Sequence, residues 1–487
     1  MSGDRPGMDR GGGVPVAAAA AAVLLALALA VSGGNLDPIA LTMASAATLL
    51  ALAGALLGRR HDTPGWSLVV DVLLGAGLLA SLARHFVTIP RSTVLAALSS
   101  PFQLGVIAAA ALLATWAWTG APGWLRRARF PALVAVAVLL GILVIRTVPA
   151  PGIDVWQLQQ GGVQDLLEGR NPYATPHPNH YGPGTPFIDR SLLTRDGAFI
   201  TAFPYTPLNL LLDVASAFTG DVRYTMLAAM AVAAFLLRIL GRRSRTAELA
   251  GALLLFQPEG FWVVQWAWTD PLALATVLLA ACAVASGRGG WLWPGLAAGL
   301  AVSSKQYVVL LAIPLLLALP GRLRWRAVAT ATVVALAILA PFALWDGRAL
   351  LRGVVEFQIL QPFRLDALSW PAFVAYHGGP RLPSWPAFVA AALALLLTLR
   401  ARVSVGQALL SGASAWLLFV ILNKQAFCNY YWLGVGLLCG AVAAFSEPWA
   451  GSLPCAPPGF PPLGSRNSFD KVATDATLQR PPSRTRS

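Results

Sequence analysis

Apolar runs long enough to cross a bilayer recur along most of this chain, and they limit its possible folds more than any other feature. The runs at 15–32 and 131–145 are examples. A segment of about 20 apolar residues crosses a bilayer as a helix, because the hydrocarbon core offers its backbone no other hydrogen-bond partners. Only 11% of the 487 residues are charged, against about a quarter in soluble domains, which excludes an ordinary soluble enzyme. The sequence therefore predicts an all-α polytopic membrane protein.

Hydropathy divides the runs into about 14 predicted spans, and basic residues orient them. The spans are 15–32, 38–58, 66–83, 103–119, 131–149, 224–240, 246–262, 270–287, 291–304, 307–320, 327–345, 386–401, 406–422 and 431–446. Arginine clusters lie at alternate span ends: Arg59, Arg60, Arg126, Arg127, Arg129, Arg242, Arg243, Arg245, Arg322, Arg324, Arg326, Arg400 and Arg402. Because cytoplasmic loops carry an excess of Lys and Arg, both termini are predicted to be cytoplasmic. This orientation requires the short apolar stretches 206–218 and 370–376 to lie on the outer face as interfacial helices.

Span positions and loop lengths suggest an organisation in three parts. Four spans within 1–125 form an N-terminal membrane extension, and 126–446 forms the membrane core. The core has two long outer loops, 150–223 and 346–385; the first is rich in Pro but also contains Trp, Tyr, Phe and His, which is typical of an ordered loop. Residues 447–487 are rich in Pro, Ser and Arg and are predicted to be a disordered cytoplasmic tail. The formal net charge of +14 lies mostly at helix ends, so it indicates membrane orientation and not nucleic-acid binding.

Asp154 follows the fifth span by a few residues and opens a segment with helical periodicity. Its apolar positions suit a helix that lies in the membrane interface: Val155, Leu158, Val163, Leu166 and Leu167. Gly169 is predicted to end this helix, and Asn171-Pro172-Tyr173 to turn the chain. A carboxylate held at the membrane surface can meet a lipid head group and a polar acceptor together, as a general base requires. The alternative is an interfacial carboxylate that only marks a helix end.

Lys305 and Arg364 are candidate functional residues, each with a structural alternative. Lys305 separates two short apolar runs, where an ionisable residue is a functional candidate; snorkelling to the interface is the alternative. Arg364 is predicted to lie in a loop helix within 356–370, where a salt bridge with Asp366 is the simpler interpretation.

The segment 423–433 combines polar and aromatic residues. Its aromatic residues bracket its polar ones and would offer a polar ligand amide hydrogen bonds and a flat ring, and an ordinary aromatic belt explains them equally well. The polar residues are Asn423, Lys424, Gln425 and Asn429, and the aromatic ones are Tyr430, Tyr431 and Trp432. Asp270 is interpreted as a helix start, because helix N-termini favour Asp for electrostatic reasons.

No metal site is predicted. His177 and His180 are only two ligands, and no third can be named. The four cysteines lack the spacing of a metal site or a disulfide framework: Cys282, Cys428, Cys439 and Cys455.

The order of several motifs resembles the C-type (GT-C fold) integral-membrane glycosyltransferases. Asp154 is followed by LLEGRNPY at 166–173 and FPYTPLNLLL at 203–212, with further matches at 295–317 and 423–433. More narrowly, the series is similar to the polyprenyl-phosphate-mannose-dependent mannosyltransferases of glycosyltransferase family 87, over roughly 131–446. The chain departs from the family pattern in two respects. Thr206 stands where the family often has Pro, and four spans precede a helix that is usually the family's first.

The resemblance implies a GT-C-like catalytic core and an inverting transfer at the outer face of a bacterial plasma membrane. The sugar, with mannose expected, would pass from a polyprenyl phosphate to a cell-envelope glycolipid or polysaccharide. Asp154 would act as the general base. The donor phosphate would bind Lys305, Arg364 and Lys424, and the sugar or acceptor would bind Asn171, Tyr173, Tyr205, Gln425, Asn429 and Tyr430. The lipid-linked donor is a substrate, so no cofactor is expected, in keeping with the lack of a Gly-rich phosphate loop.

Two other hypotheses remain open from the sequence. A transporter or flippase of envelope precursors would also have many spans and broken helices, but it would be expected to show internal repeats and charges in mid-span. A lipid-linked transferase resembling the O-antigen ligases would depend on Arg and His in its outer loop. Replacing Asp154 by Asn should abolish transfer only in the first hypothesis.

Overall fold

The computed structural model describes residues 13–58, 66–87, 99–182, 184–185, 187–200, 203–399 and 404–446. These residues form helices joined by irregular segments, and no strand is present among them. The predicted all-α class is therefore confirmed. The predicted tail at 447–487 and the arginines at 59, 60, 400 and 402 lie outside the described residues.

Five helices form the first part of the chain: α1 (Gly13–Ser32), α2 (Pro38–Leu57), α3 (Trp66–Val87), α4 (Ser99–Ala114) and α5 (Gly123–Thr147). Asp37 starts α2 as its N-cap, where its Oδ1 accepts hydrogen bonds from the backbone N–H groups of Ile39 and Ala40, both at 2.8 Å. Pro38 follows at the first helical position, which needs no N–H donor. The turn between α1 and α2 is thus determined by local sequence.

The middle of the chain contains α6 (Asp154–Leu167), α7 (Pro207–Asp213), α8 (Arg223–Leu240), α9 (Arg245–Phe256), α10 (Gly260–Gln265), α11 (Asp270–Ser286), α12 (Leu292–Ser304) and α13 (Val309–Leu317). The predicted helix from Asp154 is confirmed, and Gly169 follows its end with a φ of +72°. The predicted break at Lys305 is also confirmed, because its backbone is extended (φ −159°, ψ 146°) between α12 and a short 3-10 turn.

The last part contains α14 (Gly321–Leu351), α15 (Phe357–Leu360), α16 (Trp370–Tyr376), α17 (Trp385–Thr398), α18 (Val405–Ile421) and α19 (Cys428–Ser446). The backbone of α14 leaves helical geometry at Asp346, whose Oδ1 accepts a hydrogen bond from Ala349 N at 2.9 Å and so caps the continuation. The predicted loop helix within 356–370 is wrong beyond Leu360. Pro362 explains the early end, because it disfavours helical geometry at the residue before it.

Seven helical stretches in the described part of the chain are long and apolar enough to cross a membrane. They are α1, α2, α3, α5, α8, the stretch from Gly321 to Leu360, and α19. The remaining predicted spans coincide with shorter helices, such as α11 to α13, α17 and α18. The chain is thus a helical membrane protein by length and composition, and the number of fourteen spans stays a prediction.

The first helices pack against the last ones rather than standing apart. α1 contacts α19, α2 contacts α18, and α3 contacts α9. Glycines allow the close approach: a Cβ at Gly77 of α3 would lie 2.8 Å from Val23 of α1, and one at Gly434 of α19 would lie 3.2 Å from Leu25. The result is one apolar core that contains residues of α1, α2, α3, α9, α18 and α19.

Candidate functional site

Asp154 is the first residue of α6, where the helix dipole favours a carboxylate. Its Oδ1 accepts hydrogen bonds from Val155 N at 2.9 Å and from the Tyr181 hydroxyl at 3.1 Å. Within the described residues Oδ2 has no side-chain partner, and the Asp154 side chain is partly exposed. One carboxylate oxygen is therefore held in place while the other can accept a proton.

Opposing effects set the proton affinity of Asp154. Desolvation by burial raises the pKa of this carboxyl above its usual value, and the Tyr181 hydrogen bond and the charge of Arg364 act in the opposite direction. Burial and the neighbouring Asp154 also raise the pKa of Tyr181, so its hydroxyl stays protonated as a donor. A raised pKa brings a carboxylate closer to the range in which a general base works efficiently.

A cavity of about 270 Å³ adjoins the segment that contains Asp154, although Asp154 itself is not part of its lining. Gly152, Ile153 and Tyr181 form the wall next to that residue. The rest of the lining includes indole rings, charged groups and the α1–α2 turn, among them Gly33, Gly34, Asn35, Arg84, Glu259, Trp262, Trp266, Trp268, Arg364 and Asp366. Aromatic walls with a few converging polar groups are typical of sites for polar small ligands.

Lys305 forms a buried ion pair with Asp270, the first residue of α11. Its Nζ donates to Asp270 Oδ2 at 3.0 Å, and Asn429 Nδ2 donates to the same oxygen at 2.7 Å. The Tyr307 hydroxyl donates to Oδ1. Lys305 is only 6% exposed, so its side chain does not snorkel. The pair joins α11, α19 and the break between α12 and α13.

Tyrosine rings surround the Lys305 ammonium. Its Nζ lies 5.1 Å from the ring centroid of Tyr307, 5.7 Å from that of Tyr205 and 5.8 Å from that of Tyr430. Burial raises the pKa of the Tyr205 hydroxyl, and the charges of Asp154 and Asp270 add to the effect. The charges of both carboxylates, Asp154 and Asp270, therefore act on the Tyr205 hydroxyl.

Asn171 and Tyr173 support the site from behind. Asn171 Oδ1 accepts a hydrogen bond from Tyr173 N at 3.0 Å, which confirms the predicted turn. Tyr173 is 1% exposed, packs on Phe203 and donates its hydroxyl to the Tyr205 carbonyl at 2.8 Å. These contacts hold Tyr205 in position.

The segment after α18 is joined to the segment after α15 by the side chains of Lys424 and Gln425. Lys424 Nζ donates to the carbonyls of Ile359 (2.9 Å) and Gln361 (2.5 Å), and Gln425 Nε2 donates to the Pro362 carbonyl at 3.1 Å. Arg364 pairs with Asp366 at 2.7 Å, as the simpler interpretation of the sequence expected. Its guanidinium also stacks on Phe187 and Phe427, and it lines the cavity.

His177 belongs to a separate cluster: its Nε2 lies 2.8 Å from Asp165 Oδ2, and Arg170 pairs with the other Asp165 oxygen at 2.7 Å. The His180 ring lies edge to face with that of Tyr181, with centroids 5.5 Å apart. No group of three His, Cys, Asp or Glu side chains in the described ranges could hold a metal ion.

The structure brings four of the predicted residues together around Asp270: Lys305, Asn429, Tyr205 and Tyr430. It places Asn171, Tyr173, Lys424 and Gln425 in supporting contacts instead. Sequence reasoning missed the pairing of Asp270, because the start of a helix already explains an Asp there. It also missed Tyr181, which no local motif distinguishes from other loop aromatics.

Comparison of the chain with protein-family models, with curated proteins and with solved structures finds no match in any of the three. The fold itself defines a helical membrane protein with a cavity of aromatic and charged side chains.

Proposed function

We propose that this protein is a membrane glycosyltransferase of the C-type kind, which moves a sugar, with mannose expected, from a polyprenyl phosphate to a cell-envelope glycolipid or polysaccharide. The observation that carries the proposal is the Asp154 carboxylate, held through Oδ1 at a helix start, open at Oδ2 and adjacent to a cavity with aromatic and charged walls. The motif series that resembles family 87 supports the same conclusion.

The reaction is a single displacement. The acceptor hydroxyl attacks the anomeric carbon while Asp154 Oδ2 takes its proton, and the bond from that carbon to the phosphate oxygen breaks. The polyprenyl phosphate leaves with the electron pair, so it needs positive charge and not a proton. Arg364 lines the cavity and supplies such charge while it is paired with Asp366. Lys305 and Lys424 do not line this cavity and support the site through their own partners.

The proposal includes a GT-C-like bundle of about 14 spans in a bacterial plasma membrane, with both termini cytoplasmic and Asp154 outside. Nucleotide sugars are cytoplasmic, which is why an outer-face enzyme would use a lipid-linked donor. Exposed positions allow a direct test: Asp196→Cys in the Asp154 loop and Arg322→Cys in the first turn of α14, each with Cys455→Ser. Cys282, Cys428 and Cys439 are buried. An impermeant maleimide should label intact cells only at position 196, and labelling only at 322 would overturn the orientation.

The catalytic proposal is tested with membranes that contain the wild type, Asp154→Asn or the matched variant Asp196→Asn at equal levels. Radiolabelled polyprenyl-phosphate-mannose and extracted envelope lipids are supplied, and a new labelled glycolipid is measured. The wild type and Asp196→Asn should form product, and Asp154→Asn should be slower by about 100- to 10,000-fold. Equal product from both Asn variants would remove Asp154 from the mechanism. If no variant forms product, polyprenyl-phosphate-arabinose is supplied, and failure with both donors contradicts the proposal.

A second candidate, a carrier or flippase, is favoured by one observation: the Asp270–Lys305 pair is buried between helices at a helix break. The carrier is tested by measuring substrate uptake into proteoliposomes without chemical change. Uptake that is lost in Asp270→Asn and kept in Asp154→Asn would support the carrier over the transferase.

A further inference from the structure

We propose that the cavity beside Asp154 binds a sugar ring together with an adjoining phosphate, and that the N-terminal helices supply one wall of this subsite. The identity of the ligand rests on the proposed function, whereas the cavity and its walls are features of the fold. The subsite gives the N-terminal helices a role in binding in addition to their place in the apolar core.

The wall from the N-terminal helices is held tightly against the rest of the protein. Gly34 has a φ of +81°, and a Cβ there would lie 2.6 Å from Cys428 Cα at the start of α19. Leu36 directly follows the turn residues that line the cavity, and its backbone N–H donates to the Asp366 carbonyl at 2.8 Å. The turn therefore has a defined position relative to Arg364 and Tyr181, which line the same cavity.

Arg84, near the end of α3, is the cation best placed to bind a phosphate. Its Nε donates to the Ala30 carbonyl at 3.1 Å, and none of the ion pairs among the described residues involves Arg84. Its two Nη groups are therefore available to an anion in the cavity. The other cavity guanidinium, Arg364, is already paired with Asp366. A guanidinium matches the geometry of phosphate oxygens and binds them in a bidentate manner.

Indole rings supply the surface for a sugar. Trp262, Trp266 and Trp268 line the cavity, and the rings of the first two lie edge to face with centroids 5.0 Å apart. Trp266 Nε1 is buried and has no acceptor within the described part of the chain. Because Nε1 has almost no exposed surface, a ligand in the cavity meets the Trp266 ring, on which a sugar packs its apolar face. The cavity, at about 270 Å³, suits one small head group and not a chain of sugars.

A ligand-observed NMR titration of the purified full chain tests the subsite with mannose 1-phosphate, mannose and inorganic phosphate as probes. Mannose 1-phosphate should bind at least about 10-fold more tightly than either part alone. Arg84→Gln should weaken mannose 1-phosphate about 10-fold and leave mannose unchanged, whereas Arg84→Lys should retain part of the affinity. Trp266→Phe should weaken mannose itself.

Arg288→Gln and Trp293→Phe are matched controls, because both residues are exposed and do not line the cavity. No binding to the wild type at millimolar concentration, or equal losses in Arg84→Gln and Arg288→Gln, would overturn the proposal. Asp154→Asn should keep the binding, so loss of transfer and loss of the subsite are distinguishable.

The sugar phosphate has two possible sources, the lipid-linked donor or a phosphorylated acceptor head group. Steady-state transfer by Arg84→Gln separates them: a rise in KM for the donor alone assigns the subsite to the donor, and a rise for the acceptor alone assigns it to the acceptor. Unchanged KM values for both would contradict the subsite.

Discussion

Lys305 Nζ lies 3.0 Å from Asp270 Oδ2, with both side chains buried, and this contact ties the break between α12 and α13 to the start of α11. A buried charge needs a partner, because desolvation otherwise costs more than the fold can offset. The extended backbone at Lys305 and the helix start at Asp270 are local features of sequence, but their pairing holds the two helix ends in one arrangement.

Removing either partner of the Asp270–Lys305 pair should therefore lower the stability of the fold. We expect Asp270→Asn to lower the free energy of unfolding by about 3–5 kcal/mol, because it leaves the Lys305 charge buried and uncompensated. Glu356→Gln breaks the exposed pair with Arg352 and should cost less than about 1 kcal/mol. Thermal unfolding of detergent-solubilised protein measures both. Equal stability of the two variants would contradict a structural role for the buried pair.

Tyr181 should set the pH dependence of transfer. Its hydrogen bond lowers the pKa of Asp154 against the larger effect of burial, so Tyr181→Phe should raise that pKa further. A general base must be unprotonated, so activity is lost as pH falls through this pKa, and the acidic limb of the kcat/KM profile should move to higher pH. Tyr376→Phe changes an exposed tyrosine on α16 and should leave the profile unchanged. A shift of the limb to lower pH would contradict the assignment.

Asp213 should make the protein less stable as pH rises. It is fully buried, neither carboxyl oxygen has a hydrogen-bond partner among the described residues, and burial raises its pKa well above the usual value. The folded state therefore keeps a proton that the unfolded state releases, so stability falls as pH rises above the unfolded pKa of about 3.9. Asp213→Asn should raise the unfolding temperature over the wild type at pH 8 and much less at pH 4.

Asp189 provides the comparison for this prediction. It is partly exposed, and the hydrogen bonds from Ser191 lower the pKa of its carboxyl. Its contribution to stability is therefore present at neutral pH and is lost on acidification. Asp189→Asn should therefore lower the unfolding temperature slightly at pH 8. An Asp213→Asn variant with the same sign of change at pH 8 would refute the predicted burial effect.

The contact between the α1–α2 turn and α19 should be sensitive to one methyl group. Gly34→Ala places a Cβ on the Cys428 backbone at a positive φ, so both the contact and the turn must shift. We expect a marked loss of stability and weaker binding of mannose 1-phosphate. Gly75→Ala, in α3 with open space around it, should stabilise by up to about 1 kcal/mol. Comparable stability of the two variants would show that the turn is not held against α19.

Local sequence accounts for the helices and for several of their ends. Apolar runs of spanning length require helices in a bilayer, and Asp37, Gly169 and the Asn171 turn act through neighbours a few residues away. The loop helix predicted within 356–370 was wrong beyond Leu360, because Pro362 disfavours helical geometry at Gln361.

The contacts between distant polar residues depend on tertiary packing. Asp270 and Lys305 are 35 residues apart, and Asn429 is 159 residues from Asp270, so no local pattern links them. The same holds for the cavity, where Gly34, Arg84, Trp266 and Arg364 come from four distant segments. Hydrophobicity places a helix in the membrane but does not specify which helices pack against it. Close packing at glycines and the pairing of buried charges specify those contacts.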